Sequence, residues 1–453
     1  MKDQTKVYKI VTAVLSAALA AVICVQCLYA GGVFGKKSEG AGKPAEVYSL
    51  SHDGYELEQV VILSRHNIRS PLSGGDSLLG TITPHKWFDW SSDPSELSLR
   101  GGALETLMGQ YFQKWLIKEN LFSKNYIPEG DSVRIYANSK QRTIATAKYF
   151  SSGLFPCANT EVEYHMEFDK MDPVFTPQLT FVSDEYKSDA EKQIREMFAA
   201  TIDGLKDNYE LITDITDMKA SDAWKSGKQS ELKTDDLVLN LEQNAEPGMS
   251  GSLKTACSVS DALVLQYYEE KDAKEAGFGH DLTFEQWKAV SEIKDVYGDV
   301  LFTAPLVSVN VAHPLLEEIE GEMKADGRKF TFLCGHDSNV GSVLAALEAE
   351  EYDLPAAIES KTPIGCKLVF SRWKNTAGEH FYSVDLVYQS VDQLRGLSML
   401  DLDEPPVVYH ISLKGMTKNE DGLYKADTLY ERFDKAISAY DGLLSKYSLE
   451  KAA

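Results

Sequence analysis

A short apolar run, Val60-Val61-Ile62-Leu63-Ser64, passes without a break into Arg65-His66-Asn67-Ile68-Arg69-Ser70-Pro71. An unbroken run of that length suits a strand buried on both faces, and such strands belong to sheets covered by helices on each side. The residues that follow must then stand at the carboxyl end of a buried strand, where open α/β sheets bind their ligands. Two arginines bracket a histidine there. Arginine offers a rigid fork of donors that fits phosphate oxygens and keeps its charge. A histidine held between two such groups is disfavoured as a cation, which leaves an imidazole nitrogen free as a nucleophile. A surface basic turn would carry the same letters, but it has no need of a buried strand in front of it.

Two other strand candidates end on residues with useful chemistry. Phe330 to Cys334 is followed by Gly335-His336-Asp337-Ser338-Asn339 and then by an apolar helix, Val340 to Leu347. His336 can bind phosphate, and Asp337 can act as a general acid toward a leaving oxygen. Asp337 or Ser338 would also serve as a helix N-cap, so this segment alone is weak. Ser132 to Ala137 is followed by Asn138-Ser139-Lys140-Gln141-Arg142-Thr143. Arg142 falls in the first turn of a helix predicted from Lys140 to Phe150, where backbone amides and the helix dipole favour an anion. No G-x-x-x-x-G-K-[ST], G-x-G-x-x-G or G-x-S-x-G segment is present, and no metal-ligand spacing accompanies His336-Asp337. No metal or cofactor is therefore expected.

Strand signals at Glu56 to Ser64, Ser132 to Ala137, Phe330 to Cys334, Lys367 to Ser371 and Tyr382 to Tyr388 alternate with helices at both ends of the chain. That pattern predicts an α/β core of mainly parallel strands. Helical stretches at about 188–206, 257–269 and 283–297 fill the middle, the last opened by a capping box from Thr283 to Gln286. Ser98 to Ile117 and Thr428 to Tyr447 complete the predicted helices. The expected organisation is an α/β domain of residues 47–160 and 300–453, with residues 161–299 inserted as a mainly helical cap.

Lys2, Lys6 and Lys9 precede an apolar run from Ile10 to Tyr29. Such a segment (1–30) is either a signal peptide cleaved after Ala30 or a retained anchor. Residues 31–46, rich in Gly, Lys and Ser, read as a linker. Both readings put the body outside the cytoplasm, in a periplasm or beyond, and a membrane is met only through an uncleaved N-terminus. Cys157, Cys257, Cys334 and Cys366 match no zinc or redox spacing, and export permits disulfides without demanding them. The formal charge of −23 repels nucleic acid, so no such partner is expected. A small anionic substrate must be drawn in by a local group of cations.

At these residues the chain resembles the histidine acid phosphatases. The family's R-H-G-x-R-x-P motif appears as RHNIRSP, with Asn67 where most members have Gly, and its H-D pair appears as His336-Asp337. The Asn variant points to the subgroup that acts on sugar phosphates. LSLRGGALETLMGQYF (97–112), YANSKQRTIATAKYF (136–150), EPGMSG (246–251), LQYYE (265–269), GHDSN (335–339) and KTPIGCKLVFSRW (361–373) carry the same resemblance in the same order. It implies a sheet covered by helices on both faces with an inserted helical domain. It also implies a phosphate monoester substrate, such as glucose 1-phosphate, and a phosphohistidine intermediate. In that scheme His66 is the nucleophile and Asp337 the proton donor. Arg65, Arg69, Arg142 and His336 hold the phosphate, and Glu246 stands over the substrate. A neutral acid at Asp337 would favour acidic pH. A phytase or other inositol-phosphate phosphatase of the same family is the alternative substrate class. A non-catalytic surface protein that binds a phosphorylated ligand is the alternative of another kind, though it would have no need of nucleophile and acid together.

Overall fold

In the computed structural model, residues 49–72 and 77–448 are described, and the expected export segment and linker lie outside them. The central strand is β1 (Tyr55–Arg65). Its side chains alternate between two apolar clusters: Val60 and Ile62 enter one, Val61 and Leu63 the other. An apolar residue at every position is what a strand covered on both faces requires. The first cluster is closed by α1 (Leu99–Lys118) and α2 (Gln141–Leu154), which contribute Met108, Phe112, Trp115 and Phe150. Helices packed on the opposite face contribute Leu316, Ile319, Val343 and Phe433 to the second.

The sheet is mixed. β2 (Val133–Ala137) and β3 (Phe330–Gly335) run parallel to one another, and β3 runs parallel to β1. On the other side of β1, β4 (Lys367–Asn375), β5 (His380–Tyr388) and β6 (Val407–His410) follow as antiparallel neighbours. The strand order is therefore β2-β3-β1-β4-β5-β6, with the two-residue strand Tyr424–Lys425 beside β5. A mainly parallel sheet was expected, and half of it is not. The reason is connection length. Only residues 376–379 separate β4 from β5, and a parallel return needs a crossover of about a dozen residues or more.

Between α2 and β3 the chain forms helices α3 (Asp184–Gly204), α4 (Lys206–Ile215), α5 (Ser252–Glu269), α6 (Phe284–Phe302) and α7 (Pro305–Lys324). The capping box at the start of α6 is present: the Thr283 hydroxyl accepts from the Gln286 amide, and the Thr283 amide donates to the Gln286 side chain. The sequence reading assigned nothing to α7, because Pro305 and Pro314 discourage a helix. Pro305 occupies the first turn, where a missing N–H is harmless. Pro314 is carried through by burial of Val307, Val311, Leu315 and Ile319 around it. α8 (Asp337–Ala346) follows β3 directly, and α9 (Ala426–Tyr447) closes the described chain. The four body cysteines are unpaired, and Cys334 is buried in its strand.

Helices α1 and α2 touch backbone to backbone. A Cβ at Gly109 would stand 2.2 Å from the Phe150 carbonyl oxygen, and one at Gly153 would stand 2.3 Å from that of Thr106. This close crossing fixes the C-terminal half of α2 against α1. Gly109→Ala is expected to destabilise the protein by about 1–3 kcal/mol, read as a lower urea midpoint. Gly442→Ala in α9 is the control: a Cβ there meets nothing within 4 Å. It should raise the midpoint slightly, by about 0.5–1 kcal/mol. Equal effects at both positions would refute the crossing argument.

Candidate active site

Three parallel strand ends bring the site together. Arg65, the last residue of β1, is paired in register with Gly335, the last of β3. The amide of His66 donates to the Gly335 carbonyl (3.1 Å), and the amide of Asn138, after β2, donates to the Cys334 carbonyl (2.9 Å). His66, His336 and Asn138 therefore emerge side by side. The two imidazole rings are 5.5 Å apart, centroid to centroid. They open into a cleft of about 740 Å³ also lined by Arg69, Arg142, Glu246 and Asp337.

The hydrogen bonds settle the tautomer of each ring. His66 Nδ1 lies 2.9 Å from the carbonyl oxygen of Asn67, which can only accept, so Nδ1 holds the proton and Nε2 keeps its lone pair. Burial, then the charges of Arg142, His336, Arg69 and Arg65, hold the His66 pKa well below the usual histidine range. His336 Nε2 is 2.7 Å from the side-chain amide of Asn138. Asn138 Oδ1 accepts from the Asp172 amide (2.9 Å), so its nitrogen donates to Nε2 and the proton of His336 sits on Nδ1. Arg142 Nη2 is 3.5 Å from that Nδ1. Two donors then face one another with no acceptor between them, which is a slot for an anionic oxygen.

The arginines differ in their engagement. Arg69 gives Nη2 to Asp261 (3.0 Å) and Nη1 to the Ser70 carbonyl (3.1 Å). Arg142 is pushed down to about 10 by burial and by Arg69, and still carries its charge at neutral pH. Arg65 is 1% exposed and lies behind the cleft wall, with Nη1 held at 2.5 Å by both Glu359 and the Thr362 carbonyl. All three have a buried Nε with no hydrogen-bond partner. Of the three, Arg69 and Arg142 line the cleft and bring their charge to it.

Asp337 is the first residue of α8, and His336 takes the N-cap position, with the His336 amide donating to Asn339 (2.8 Å). Neither Asp337 nor Ser338 is the cap. The Asp337 side chain is 36% exposed, with Oδ2 at 2.7 Å from Lys294 Nζ and 3.6 Å from Arg65 Nη2. Burial pushes its pKa up, but Lys294 and Arg65 outweigh that and hold it well below the carboxylate range. The expected neutral acid is thus an ionised carboxylate in the unliganded protein. Glu246 stands exposed on the cleft lining, just before the short strand Gly248–Ser250.

Asn67 departs from the family's usual Gly, and its side chain is fully used. Nδ2 donates to Glu105 Oε1 (2.7 Å), and Oδ1 accepts from the Ile68 amide (2.8 Å). Glu105 is paired in turn with Lys367 Nζ at 2.9 Å, both side chains fully buried. Gly365, at φ +68°, passes so close that a Cβ would stand 2.4 Å from Asn67 Nδ2. The sequence reading missed Lys294, Glu359, Asp261 and the role of Asn138. Lys294 alone had left a mark: it interrupts the apolar stripe Trp287, Val290, Ile293, Val296 of α6.

Residues 56–389 match the histidine phosphatase superfamily (branch 2). The glucose-1-phosphatase of Providencia rettgeri is 35% identical over 436 residues, covering 95% of this chain and 99% of that protein. The glucose-1-phosphatase of Salmonella typhimurium is 37% identical over 390 residues, covering 85% and 93%. Among solved structures, the apo phytase of Hafnia alvei is alike in fold, with a TM-score of 0.77 at 24% identity over 86% of this chain and 99% of that one. The match spans most of the chain and includes all three strand ends that build the cleft, so this chain belongs to the histidine phosphatase superfamily, branch 2.

Proposed function

We propose that the cleft hydrolyses a small sugar phosphate, such as glucose 1-phosphate, with His66 as nucleophile and Asp337 as proton donor. One observation carries the reading. The His66 lone pair is committed to Nε2 in a cleft also lined by Asp337, Arg69 and Arg142, with Arg65 buried behind its wall.

In the reaction, Nε2 attacks phosphorus in line and the bond from phosphorus to the leaving oxygen breaks. Arg69, Arg142 and His336 neutralise the three equatorial oxygens, and Arg65 adds charge from behind. Asp337 gives its proton to the departing alcohol. Water then attacks the phosphohistidine, Asp337 takes up a proton, and inorganic phosphate leaves. Because Asp337 is ionised beforehand, it must acquire its first proton as the substrate binds. Positioning and charge account for most of the rate enhancement in such a scheme.

The walls beyond the phosphate site favour a single phosphate. Glu350 and Glu351 line them, with Lys361 paired to Glu351 at 3.1 Å; Asp295 and Asp299 stand beside them, though burial raises them to about 8 and about 6, and Lys254 and Lys414 share the lining. Each further phosphate of an inositol hexakisphosphate would meet carboxylates, and like charges across a binding surface are strongly unfavourable. Glucose 1-phosphate should therefore exceed phytate in kcat/KM by about 100-fold or more, measured as phosphate release. Comparable values would reject the sugar-phosphate assignment and favour phytate.

His66→Ala should lower kcat by roughly 10³-fold or more while leaving the urea midpoint within about 1 kcal/mol of wild type. Alkaline-quench trapping should find phosphohistidine in wild type and none in the variant. Activity should survive EDTA and be blocked by vanadate. Loss of activity on chelation would replace this scheme with a metal-dependent one.

A further inference from the structure

Lys294 belongs to none of the sequence motifs, yet its ammonium reaches the floor of the cleft from α6. Nζ stands 2.7 Å from Asp337 Oδ2 and 3.6 Å from Glu359 Oε1. Arg65 completes the group, 2.5 Å from Glu359 and 3.6 Å from Asp337. Two cations and two carboxylates balance one another. A phosphate monoester that enters this group upsets the balance, and two responses restore it: Asp337 can be protonated, and Lys294 can turn to the phosphate.

We propose that Lys294 positions the Asp337 carboxylate in the free protein and becomes a substrate-contacting residue when a monoester binds, passing to its phosphate as Asp337 takes up a proton. The inference rests on the phosphatase reading above. Of the two cations, only Lys294 is free to make this exchange. Arg65 is fixed by Glu359 and the Thr362 carbonyl, whereas Lys294 lines the cleft and its closest carboxylate is Asp337 itself. A lysine ammonium on a flexible stem also suits a change of partner better than a planar fork.

The surroundings of Asp337 fix the sign of the pH effect. Lys294 and Arg65 lower its pKa and outweigh its burial. Across the cleft stand Arg142, Glu246 and His336. Burial and Arg65 push Lys294 down, but Asp337, Glu359 and Asp261 more than reverse this, so the ammonium stays charged. Asp337 in the free protein therefore titrates below the ordinary 3.8. A monoester monoanion with ionised Asp337 holds the same single proton as a dianion with neutral Asp337. Transfer of that proton on binding creates the acid and the dianion together. The second phosphate ionisation lies near about 6. Hence kcat/KM should be level from about pH 4 to about pH 6 and fall about tenfold per unit above that.

The test is kcat/KM for glucose 1-phosphate against pH in wild type, Lys294→Met and Lys294→Arg, with His66→Ala as blank. Wild type should show no acid limb above about pH 4. Lys294→Met should lose about tenfold at its optimum, and its acid limb should rise by about one unit or more. Lys294→Arg should keep the wild-type limb. A wild-type acid limb inside the level window, or a Lys294→Met loss uniform across pH, overturns the proposal. Urea midpoints identify a variant that fails to fold, and in that case the wild-type profile decides alone. An inert wild type, or an active His66→Ala, would bring down the phosphatase reading itself, an outcome distinct from an active enzyme with unaltered limbs.

Discussion

The parallel pairing of β1 with β3 is the constraint on which the site depends. Arg65 is opposite Gly335 in that register, so the chain leaves both strands at the same height and His66 meets His336. Side chains alternate along a strand, and a slip of one residue would send every apolar residue of β1 to the wrong face. Val60 to Leu63 are buried on alternate sides against two different clusters, so the slip is penalised on both faces at once. The packing that makes the core thereby also sets the distance between two histidines remote in sequence. β2 extends the same logic to Asn138, whose amide bonds to the carbonyl at the end of β3.

Strand register brings the loops together but does not hold their shape. That task falls to buried polar groups. Glu105 on α1 and Lys367 on β4 are both fully buried, and Asn67 is hydrogen-bonded to Glu105. Taking such a pair out of water is costly, and removing one partner typically destabilises by about 3–5 kcal/mol. Well-packed apolar residues would stabilise the core as well or better. What the pair adds is geometry. It ties the loop after β1 to two separate elements, and Lys367 also binds the Gly365 carbonyl (2.6 Å), while the Gly365 amide binds the His66 carbonyl (3.1 Å). The backbone of the nucleophile is thus held from both sides, and its Nδ1 is aimed at the Asn67 carbonyl.

What the sequence revealed follows from how locally each feature is encoded. His66, His336, Asp337 and Arg142 each come directly after an apolar run that can be read as a strand, so a window of a dozen residues suffices to find them. The capping box at Thr283 is local in the same sense. Features that depend on distant partners were hidden. Lys294 gains meaning only from Asp337, and Glu359 only from Arg65, through a fold that no short window contains. The depressed pKa of Asp337 in the free protein was hidden for that reason, since the residue that sets it lies on another helix. The antiparallel half of the sheet was legible in principle: β4 and β5 are too close in sequence for a crossover, and attention to that spacing would have corrected the expectation. α7 was obscured by two prolines, because tertiary burial can outweigh local propensity.

A chain of formal charge −23 that binds an anion must work against its own field. The resolution lies in where the positive charge is placed. Arg65 and Arg69 are buried against carboxylates, and Arg142, the third arginine of the site, is mostly buried beside Arg69. Guanidinium groups already desolvated by folding interact more strongly with an oxyanion than exposed ones would. Selectivity for phosphate thus arises from desolvation already completed during folding, not from long-range attraction. Under the proposed function, the acidic residues further out would leave a sugar's hydroxyls undisturbed and oppose a second phosphate, so that a cationic floor and an acidic surround would together favour a molecule with one phosphate.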